Sequence, residues 1–294
     1  MDLNKIKQEK TISELLEFSI INIDKSSGPT SFNVSDFVRK TLNETGIKIR
    51  KTSHFGTLDP KVTGVLPIAI NRACKLTGYF MGHDKEYIGI MRIHEDVELE
   101  EINKAIKKKF LGKIKQTPPV KSRVKRQERV REVKKFELLE KQGMDILFHS
   151  TVEGGTYIRK LIDDLGKELG IGAHMLELRR VRAGLFKEEE IVNLYDFAKA
   201  VEELKKGNEN PLRKILIPAE IISEIHPVVQ VKKDALKRLL TGKPIIKSDL
   251  KKKEKFDEDE TICVFSTNKF VGMYKVINKK VAFAKPLFVL QDLK

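Results

Sequence analysis

The chain has 294 residues, with 57 Lys and Arg against 42 Asp and Glu, and carries a formal net charge of +15 at pH 7. So large an excess favours a polyanionic partner, nucleic acid before a membrane surface, and adaptation to heat does not account for the imbalance. No apolar run approaches the length of a membrane span and no apolar signal segment opens the chain, so we expect a cytoplasmic protein rather than a membrane-spanning or secreted one.

The two cysteines, Cys74 and Cys263, lie far apart, with no second Cys or His at the spacing of metal ligands. Neither a zinc site nor a disulfide framework is therefore indicated. Both side chains are expected to be buried thiols in a reducing compartment.

Apolar alternation and helical spacing predict an α+β chain. The predicted elements are strand 20–23, a helix carrying apolar residues from 34 to 42, strand 65–70, central strand 85–93, helix 100–111, hairpin 133–152, helix 158–169, a second helix from about His174, and helix 194–206. From about residue 225 the character changes, and short strands surround one short helix at 234–240. We expect a tail at 1–19 that docks elsewhere, a domain at 20–222 and a small β-barrel-like domain at 225–294.

The stretch 54–66 gathers turn formers around one carboxylate, Asp59, and closes on an apolar strand. Pro60 fixes φ, Gly64 permits positive φ, and an Asp side chain can bond its own backbone. The plainer interpretation is a structural turn. The alternative is a loop that presents Asp59 for chemistry.

Two further polar residues stand at structural junctions. Tyr87 lies at the start of the central strand, and Arg159 lies in the first turn of helix 158–169. The helix dipole disfavours a cation there by a few tenths of a kcal/mol, so an anion nearby would account for Arg159. The densest basic run, 121–131, favours phosphate contact, with a solvated strand face as the alternative.

Four segments resemble, in order and spacing, the motifs of TruB-type pseudouridine synthases. They are residues 25–31, 54–66, 85–87 and 155–161. The resemblance runs from about residue 20 to 215, and the C-terminal tail is similar to a PUA domain, a small RNA-binding barrel. It implies the pseudouridine synthase fold, a mixed and mostly antiparallel sheet flanked by helices, and it implies an isomerase.

The resemblance also implies roles for single residues. Asp59 corresponds to the essential carboxylate, Tyr87 to the active-site tyrosine, Arg159 to the arginine that pairs with the carboxylate, and His54 to the histidine that helps to extrude the target base. Further RNA contacts are expected at Lys25, Thr57, Tyr157, Arg123, Lys125, Arg126, Arg179 and Arg180.

The chemistry agrees with these roles. Pseudouridine forms when the C1′–N1 bond of uridine breaks, the uracil rotates and C5 rejoins the sugar, which calls for a carboxylate at the sugar. Asp59 attacks C1′, attacks the uracil ring or stabilises an elimination to a glycal, and these alternatives stay open. The base must leave its stack to be reached. An isomerisation needs no metal, nucleotide or redox cofactor, and none is expected.

The chain departs from the family pattern at three positions. Phe55 stands where a small Ser or Thr is usual, Ser53 where glycine is usual and Lys160 where Thr is common. None of them removes a chemical group. Phe55 is expected to change how the loop meets the RNA.

After Pro119 the basic run leads directly into the hairpin, without the inserted arm of stand-alone bacterial enzymes. This resembles the archaeal dyskerin-type branch, which implies a box H/ACA guide RNA, rRNA substrates and small protein partners. The same branch is associated with the T-loop uridine of tRNA without a guide, and both substrates remain open. The competing hypotheses are a non-catalytic RNA-binding scaffold of the same fold and a generic basic ribosome-associated module.

Overall fold

The computed structural model describes residues 2–118, 126–252, 255–277, 279 and 281–291. Two of the predicted RNA contacts, Arg123 and Lys125, lie outside the described residues. Within these ranges, no helix is long and apolar enough to cross a membrane. Cys263 is buried, which raises the pKa of its thiol to about 12, whereas Cys74 is partly exposed.

The described strands, in chain order, are β1 (Phe18–Lys25), β2 (Thr52–His54), β3 (Thr63–Asn71), β4 (Lys85–Ile93), β5 (Gly112–Gln116), β6 (Arg129–Gln142), β7 (Asp145–Val152), β8 (Ala173–Ala183), β9 (Phe186–Lys187), β10 (Leu216–Pro218), β11 (Val228–Gln230), β12 (Ile245–Ile246), β13 (Thr261–Ser266), β14 (Lys269–Val276) and β15 (Ala282–Val289). The α-helices are α1 (Leu3–Glu9), α2 (Ile12–Glu17), α3 (Ser31–Asn43), α4 (Thr77–Met81), α5 (Leu99–Ala105), α6 (Ile158–Leu169), α7 (Leu194–Lys205), α8 (Asn210–Ile215) and α9 (Leu236–Leu240). A π-helical turn over Ile106–Phe110 continues α5.

The chain divides into two compact units. The smaller is built from Met1–Ile20, Ala69–Leu76 and Leu216–Lys294, and the larger from Ile21–Ile68 and Thr77–Ile215. This division follows spatial contacts, whereas the predicted boundaries concern the domains of the family, so those boundaries stay a prediction.

The larger unit is organised on a mixed sheet in the order β1-β3-β8-β4-β7-β6-β5. β4 pairs antiparallel with both β7 and β8, while β3 runs parallel to β8. The predicted central position of β4 is confirmed. The pattern is the mixed, mostly antiparallel sheet flanked by helices that the resemblance implied.

The smaller unit contains a five-stranded sheet in the order β11-β13-β14-β15-β12. Its buried core includes Val229, Leu239, Ile262, Val271 and Phe283. The alternation of short strands around α9 is as predicted, and the sheet is consistent with a PUA-like domain.

Local signals identified most helices correctly. Thr30 and Asn33 form a reciprocal capping box at the start of α3, and the apolar stripe of α6 is buried. The helix predicted from His174 is wrong, because that segment is β8. Leu, Met, Glu and Arg favour a helix, but pairing on both edges, with β3 and β4, outweighs that propensity.

Candidate active site

The Asp59 carboxylate lies in the loop between β2 and β3 of the larger unit. Its Oδ2 is 2.7 Å from Nη2 of Arg159, and the two side chains are 45% and 53% exposed. Arg159 thus has the nearby anion that its place in the first turn of α6 called for. Because both groups reach solvent, the pair adds less than about 1 kcal/mol to stability. Its consequence is an oriented carboxylate that a substrate can still reach.

The turn before α3 holds the Asp59 loop through its backbone. Ser31 Oγ accepts from the Leu58 N–H at 2.8 Å and donates to the Leu58 carbonyl at 3.0 Å, and all these atoms are buried. The N–H of Gly28 donates to the Pro60 carbonyl at 2.9 Å. The residues on both sides of Asp59 are therefore fixed before any substrate arrives.

Lys25 is part of this support rather than an RNA contact. Its side chain is fully buried, and Nζ donates to the carbonyls of Ser26, Pro60 and Val62 at 2.8 to 2.9 Å. Burial lowers the pKa of Lys25, and the charge of Asp59 partly opposes this. The predicted contact with RNA is corrected, because no part of the ammonium group faces solvent.

Arg180 requires the same correction. It is 1% exposed, its Nε donates to the Val65 carbonyl at 2.8 Å and its Nη2 to the Gly56 carbonyl at 3.0 Å. Its side chain also hydrogen-bonds with that of Tyr87, and burial lowers the pKa of the guanidinium. Arg180 therefore connects the Asp59 loop, β3 and Tyr87 through hydrogen bonds made from the buried side of the loop.

The sheet register explains why one residue reaches all three. On β8, Arg180 is paired with Gly64 of β3 on one side and with Tyr87 of β4 on the other. Gly64 has φ +98°, and a Cβ there would lie 2.2 Å from the Arg180 carbonyl oxygen. Only glycine lets the two strands come this close.

Tyr87 occupies the predicted strand start but is only 8% exposed. Neighbouring Arg179 is one-third exposed and makes ion pairs with Asp24, at 3.0 Å, and with Glu188. Arg179 therefore already has two carboxylate partners, which weakens its case as a phosphate contact.

The residues before the loop are more buried than the sequence suggested. His54 ends β2; burial, reinforced by the charge of Arg180, lowers its pKa, and its buried Nδ1 has no hydrogen-bond partner among the described residues. Phe55 is 1% exposed and stacks on Phe80 at 4.7 Å, with Phe186 at 5.7 Å. Phe55 thus anchors the loop in the core, and its expected effect on how the loop meets RNA stays a prediction.

Gln116, which the sequence analysis missed, positions the start of α6. Its Oε1 accepts from the Tyr157 N–H at 3.0 Å and its Nε2 donates to the Tyr157 carbonyl at 3.2 Å. Gln116 is itself buried at the end of β5. A lone Gln in a basic strand gives no sequence signal of this role.

Two of the predicted RNA contacts, Thr57 and Arg126, are exposed.

Lys85, also missed, is a third buried cation beneath the loop. It is 4% exposed and its Nζ donates to the carbonyls of Met81, at 3.2 Å, and His83, at 2.5 Å. Burial is the main cause, and the charge of Arg180 the second, that lowers the pKa of Lys85 to about 8.

In the described ranges, no group of three or more His, Cys, Asp and Glu residues is placed to hold a metal ion.

Lys85 predicts a pH dependence of stability. Its folded-state pKa of about 8 lies below the ordinary 10.5, so between these values the unfolded state binds more protons. The free energy of unfolding contributed by Lys85 is therefore expected to rise with pH across this window, by about 3 kcal/mol in full. Urea unfolding of the wild type and Lys85→Met, each from pH 7 to about 10, measures it.

The difference between the two proteins isolates Lys85. Cys263 and Tyr274 have pKa values raised to about 12, so they act in the opposite direction at high pH, equally in both proteins. A difference in unfolding free energy that stays constant with pH would contradict the assignment.

Comparison with known proteins agrees with this geometry. Residues 44–158 match the N-terminal domain model of the TruB family pseudouridylate synthases, and residues 159–223 match the C-terminal domain model of tRNA pseudouridylate synthase B. A probable tRNA pseudouridine synthase B of Archaeoglobus fulgidus is 38% identical over 287 residues, covering 97% of this chain and 84% of that protein. Its counterpart in Methanococcus aeolicus is 43% identical over 258 residues, covering 87% of this chain and 76% of that protein.

Solved structures are similar over nearly the whole chain. A chain in a Cbf5-Nop10-Gar1 complex has a TM-score of 0.86 and 35% identity, covering 96% of this chain and 88% of its own length. Another, in an H/ACA RNP bound to a substrate RNA containing 2′-deoxyuridine, has a TM-score of 0.85 and 33% identity, covering 98% and 89%. The resemblance carried by the four motifs is confirmed, and the chain belongs to the TruB family of pseudouridine synthases, which are isomerases.

Proposed function

We propose that the chain converts uridine to pseudouridine in cytoplasmic RNA, with Asp59 as its catalytic carboxylate. The observation that carries this assignment is the 2.7 Å pair of Asp59 with Arg159, half-exposed above a rigid, buried support. A carboxylate on a loop held by buried hydrogen bonds can meet the sugar or the base with little reorganisation. Arg159 positions the carboxylate.

Tyr87 and His54 complete the proposed site. Tyr87, which is 8% exposed, covers the flipped uracil and exchanges a proton with it during rearrangement. His54 has a depressed pKa and is neutral at pH 7, so it grips the extruded base by packing and hydrogen bonding rather than by charge. Thr57, Tyr157, Arg126 and Arg179 remain proposed RNA contacts, as do Arg123 and Lys125.

The proposed substrates are the T-loop uridine of tRNA and guide-selected uridines of rRNA. The first is supported by relatives named tRNA pseudouridine synthase B at about 40% identity. The second is supported by the match to H/ACA RNP structures over at least 96% of the chain. Under the second, small H/ACA proteins such as Nop10 and Gar1 are partners, with a guide RNA.

We further propose that residues 225–294 form a PUA domain that binds RNA, and that the N-terminal tail docks on it. Within the smaller unit Phe18 stacks on Phe270 at 5.3 Å, and Nδ2 of Asn268 donates to Oε2 of Glu9 at 3.5 Å. These contacts join the first twenty residues to the C-terminal part of the chain.

Incubation of the purified chain with an unmodified tRNA transcript, with and without guide RNA and the small proteins, separates the substrates. Chemical mapping of pseudouridine is expected to find product in tRNA with the chain alone, and product in a guided rRNA fragment only with the full set. Absence of product in every mixture would contradict the proposal. A U-to-C change at the target controls for non-specific binding.

A further inference from the structure

Phe32 is an exposed aromatic residue without a role in the fold. It is 69% exposed on α3, whose buried face is formed by other residues such as Val34, Val38 and Leu42. The other exposed ring of this helix, Phe37, packs edge-on against Phe197 with centroids 6.4 Å apart. Folding therefore accounts for Phe37, whereas Phe32 presents its ring to solvent at a position where a polar residue is ordinary.

Phe32 lies beside the active-site loop. The preceding residue, Ser31, makes two buried hydrogen bonds with the backbone of Leu58, the neighbour of Asp59. Consecutive Cα atoms are about 3.8 Å apart, so the backbone of Phe32 is tied within a few residue lengths of the carboxylate. Ser31 faces inward, and one helical step of about 100° turns Phe32 outward.

The surroundings suit RNA better than a protein. A stable protein interface needs roughly 800 Å² on each partner, usually with several apolar anchors, whereas one protruding ring is enough to stack on a base. The exposed Lys61 of the Asp59 loop offers positive charge to a phosphate, and Arg159, half-exposed at the start of α6, adds to the positive charge nearby although it pairs with Asp59. Extruding a uridine also unstacks its neighbours, which leaves a base face to be covered.

We propose that Phe32 stacks on an unpaired base directly 5′ or 3′ of the target uridine and so positions the substrate for Asp59. The inference rests on the proposed function, because it requires an RNA strand to pass over the Asp59 loop. Phe32 is a positioning residue: it holds the strand and takes no part in the proton or bond transfers.

The test compares Phe32→Ala and Phe32→Tyr with the wild type on an RNA that the wild type modifies. Dissociation constants and single-turnover rates are measured on the intact RNA and on two versions with an abasic site 5′ or 3′ of the target. Phe32→Ala is expected to weaken binding of intact RNA by about 10-fold, as for loss of one stack. Phe32→Tyr is expected to restore it, since its ring stacks equally well.

The abasic RNAs identify the interaction. At one of the two positions, removal of the base should weaken RNA binding by the wild type but change the affinity of Phe32→Ala little. At the other position, removal of the base should change the affinity of both proteins equally. Tyr195→Ala, which removes a 77% exposed ring from α7, is the matched control and should bind as the wild type does.

Three outcomes overturn a claim. Unchanged binding by Phe32→Ala, with an active wild type, overturns this inference alone. A loss that persists undiminished on both abasic RNAs also overturns it and indicates a different contact, such as a protein surface. A wild type that neither binds nor modifies tRNA or guided RNA overturns the proposed function together with the inference.

Discussion

Asp59→Asn is expected to lower the single-turnover rate of pseudouridine formation by about 10⁴-fold or more, the scale of loss when a catalytic group is removed. The amide keeps the size and the loop position of the carboxylate, but it neither attacks carbon nor stabilises a developing positive charge at the sugar. The rate is measured with excess enzyme on the RNA that the wild type modifies.

The same variant should remain folded and should still bind RNA. The Asp59–Arg159 pair is about half exposed, so its loss costs under about 1 kcal/mol of stability. The Leu58 and Pro60 backbone bonds that shape the loop do not involve the carboxylate. The dissociation constant for RNA is therefore expected to stay within about 3-fold of wild type, because phosphate contacts dominate affinity.

Asp36→Asn is a suitable control. Asp36 lies on α3 and also pairs with an arginine, Arg39, at 2.6 Å, but it is not part of the Asp59 loop. It should show wild-type turnover. Turnover by Asp59→Asn within about 10-fold of the control would remove Asp59 from the chemistry and favour the scaffold hypothesis.

The sequence predicted the solvent-exposed side chains of the site better than the buried residues that hold them in place. Asp59 and Arg159 were identified because a turn-rich loop and a cation at a helix start are local signals that one segment displays. Their pairing agrees with those signals. The helix stripe of α6 was equally readable, since its burial follows directly from the spacing of its apolar residues.

The buried cations were assigned wrongly because charge is not a local guide to burial. Lys25 and Arg180 are cations, the residue type that usually contacts RNA. Each is nevertheless enclosed where backbone carbonyls of other segments converge. Apart from that of Ser26, next to Lys25, those carbonyls come from residues more than 30 positions away along the chain. Lys85 donates to nearby carbonyls, those of Met81 and His83, and its burial at the start of a central strand was likewise not evident from its residue type.

Long-range pairing also decided β8. Its residues favour a helix one by one, and only the register with Gly64 on one edge and Tyr87 on the other makes it a strand. That misassignment mattered for the site. In a helix, successive arginines would have shared a basic surface, whereas in the strand Arg179 and Arg180 point to opposite faces, one to carboxylates and one into the core.

Arg180→Met is expected to destabilise the larger unit by about 3 to 5 kcal/mol, the cost of leaving buried polar partners without their charged donor. The Val65 and Gly56 carbonyls and the Tyr87 hydroxyl would each lose a hydrogen bond in a largely buried site. Methionine fills much of the volume but donates nothing. Thermal unfolding should show a transition lowered by roughly 10 °C.

Below that transition, the rate of pseudouridine formation should fall by about 10²-fold, because Tyr87 and the Asp59 loop lose their common support. RNA affinity of the folded variant should change little, since Arg180 is 1% exposed. Arg126→Met is the control with the opposite expectation. Because Arg126 is exposed, its loss should weaken RNA binding and reduce the salt dependence of RNA affinity, while the thermal unfolding transition stays unchanged.

The pair of variants separates the two roles that an arginine can have here. If Arg180→Met weakened RNA binding as Arg126→Met does and left the unfolding transition unchanged, the guanidinium would be contacting phosphate and the buried arrangement would be wrong. If it lowers the transition and the rate but not the affinity, the catalytic power of Asp59 depends on a residue that never meets the RNA. The carboxylate and its buried support would then act as one preorganised unit.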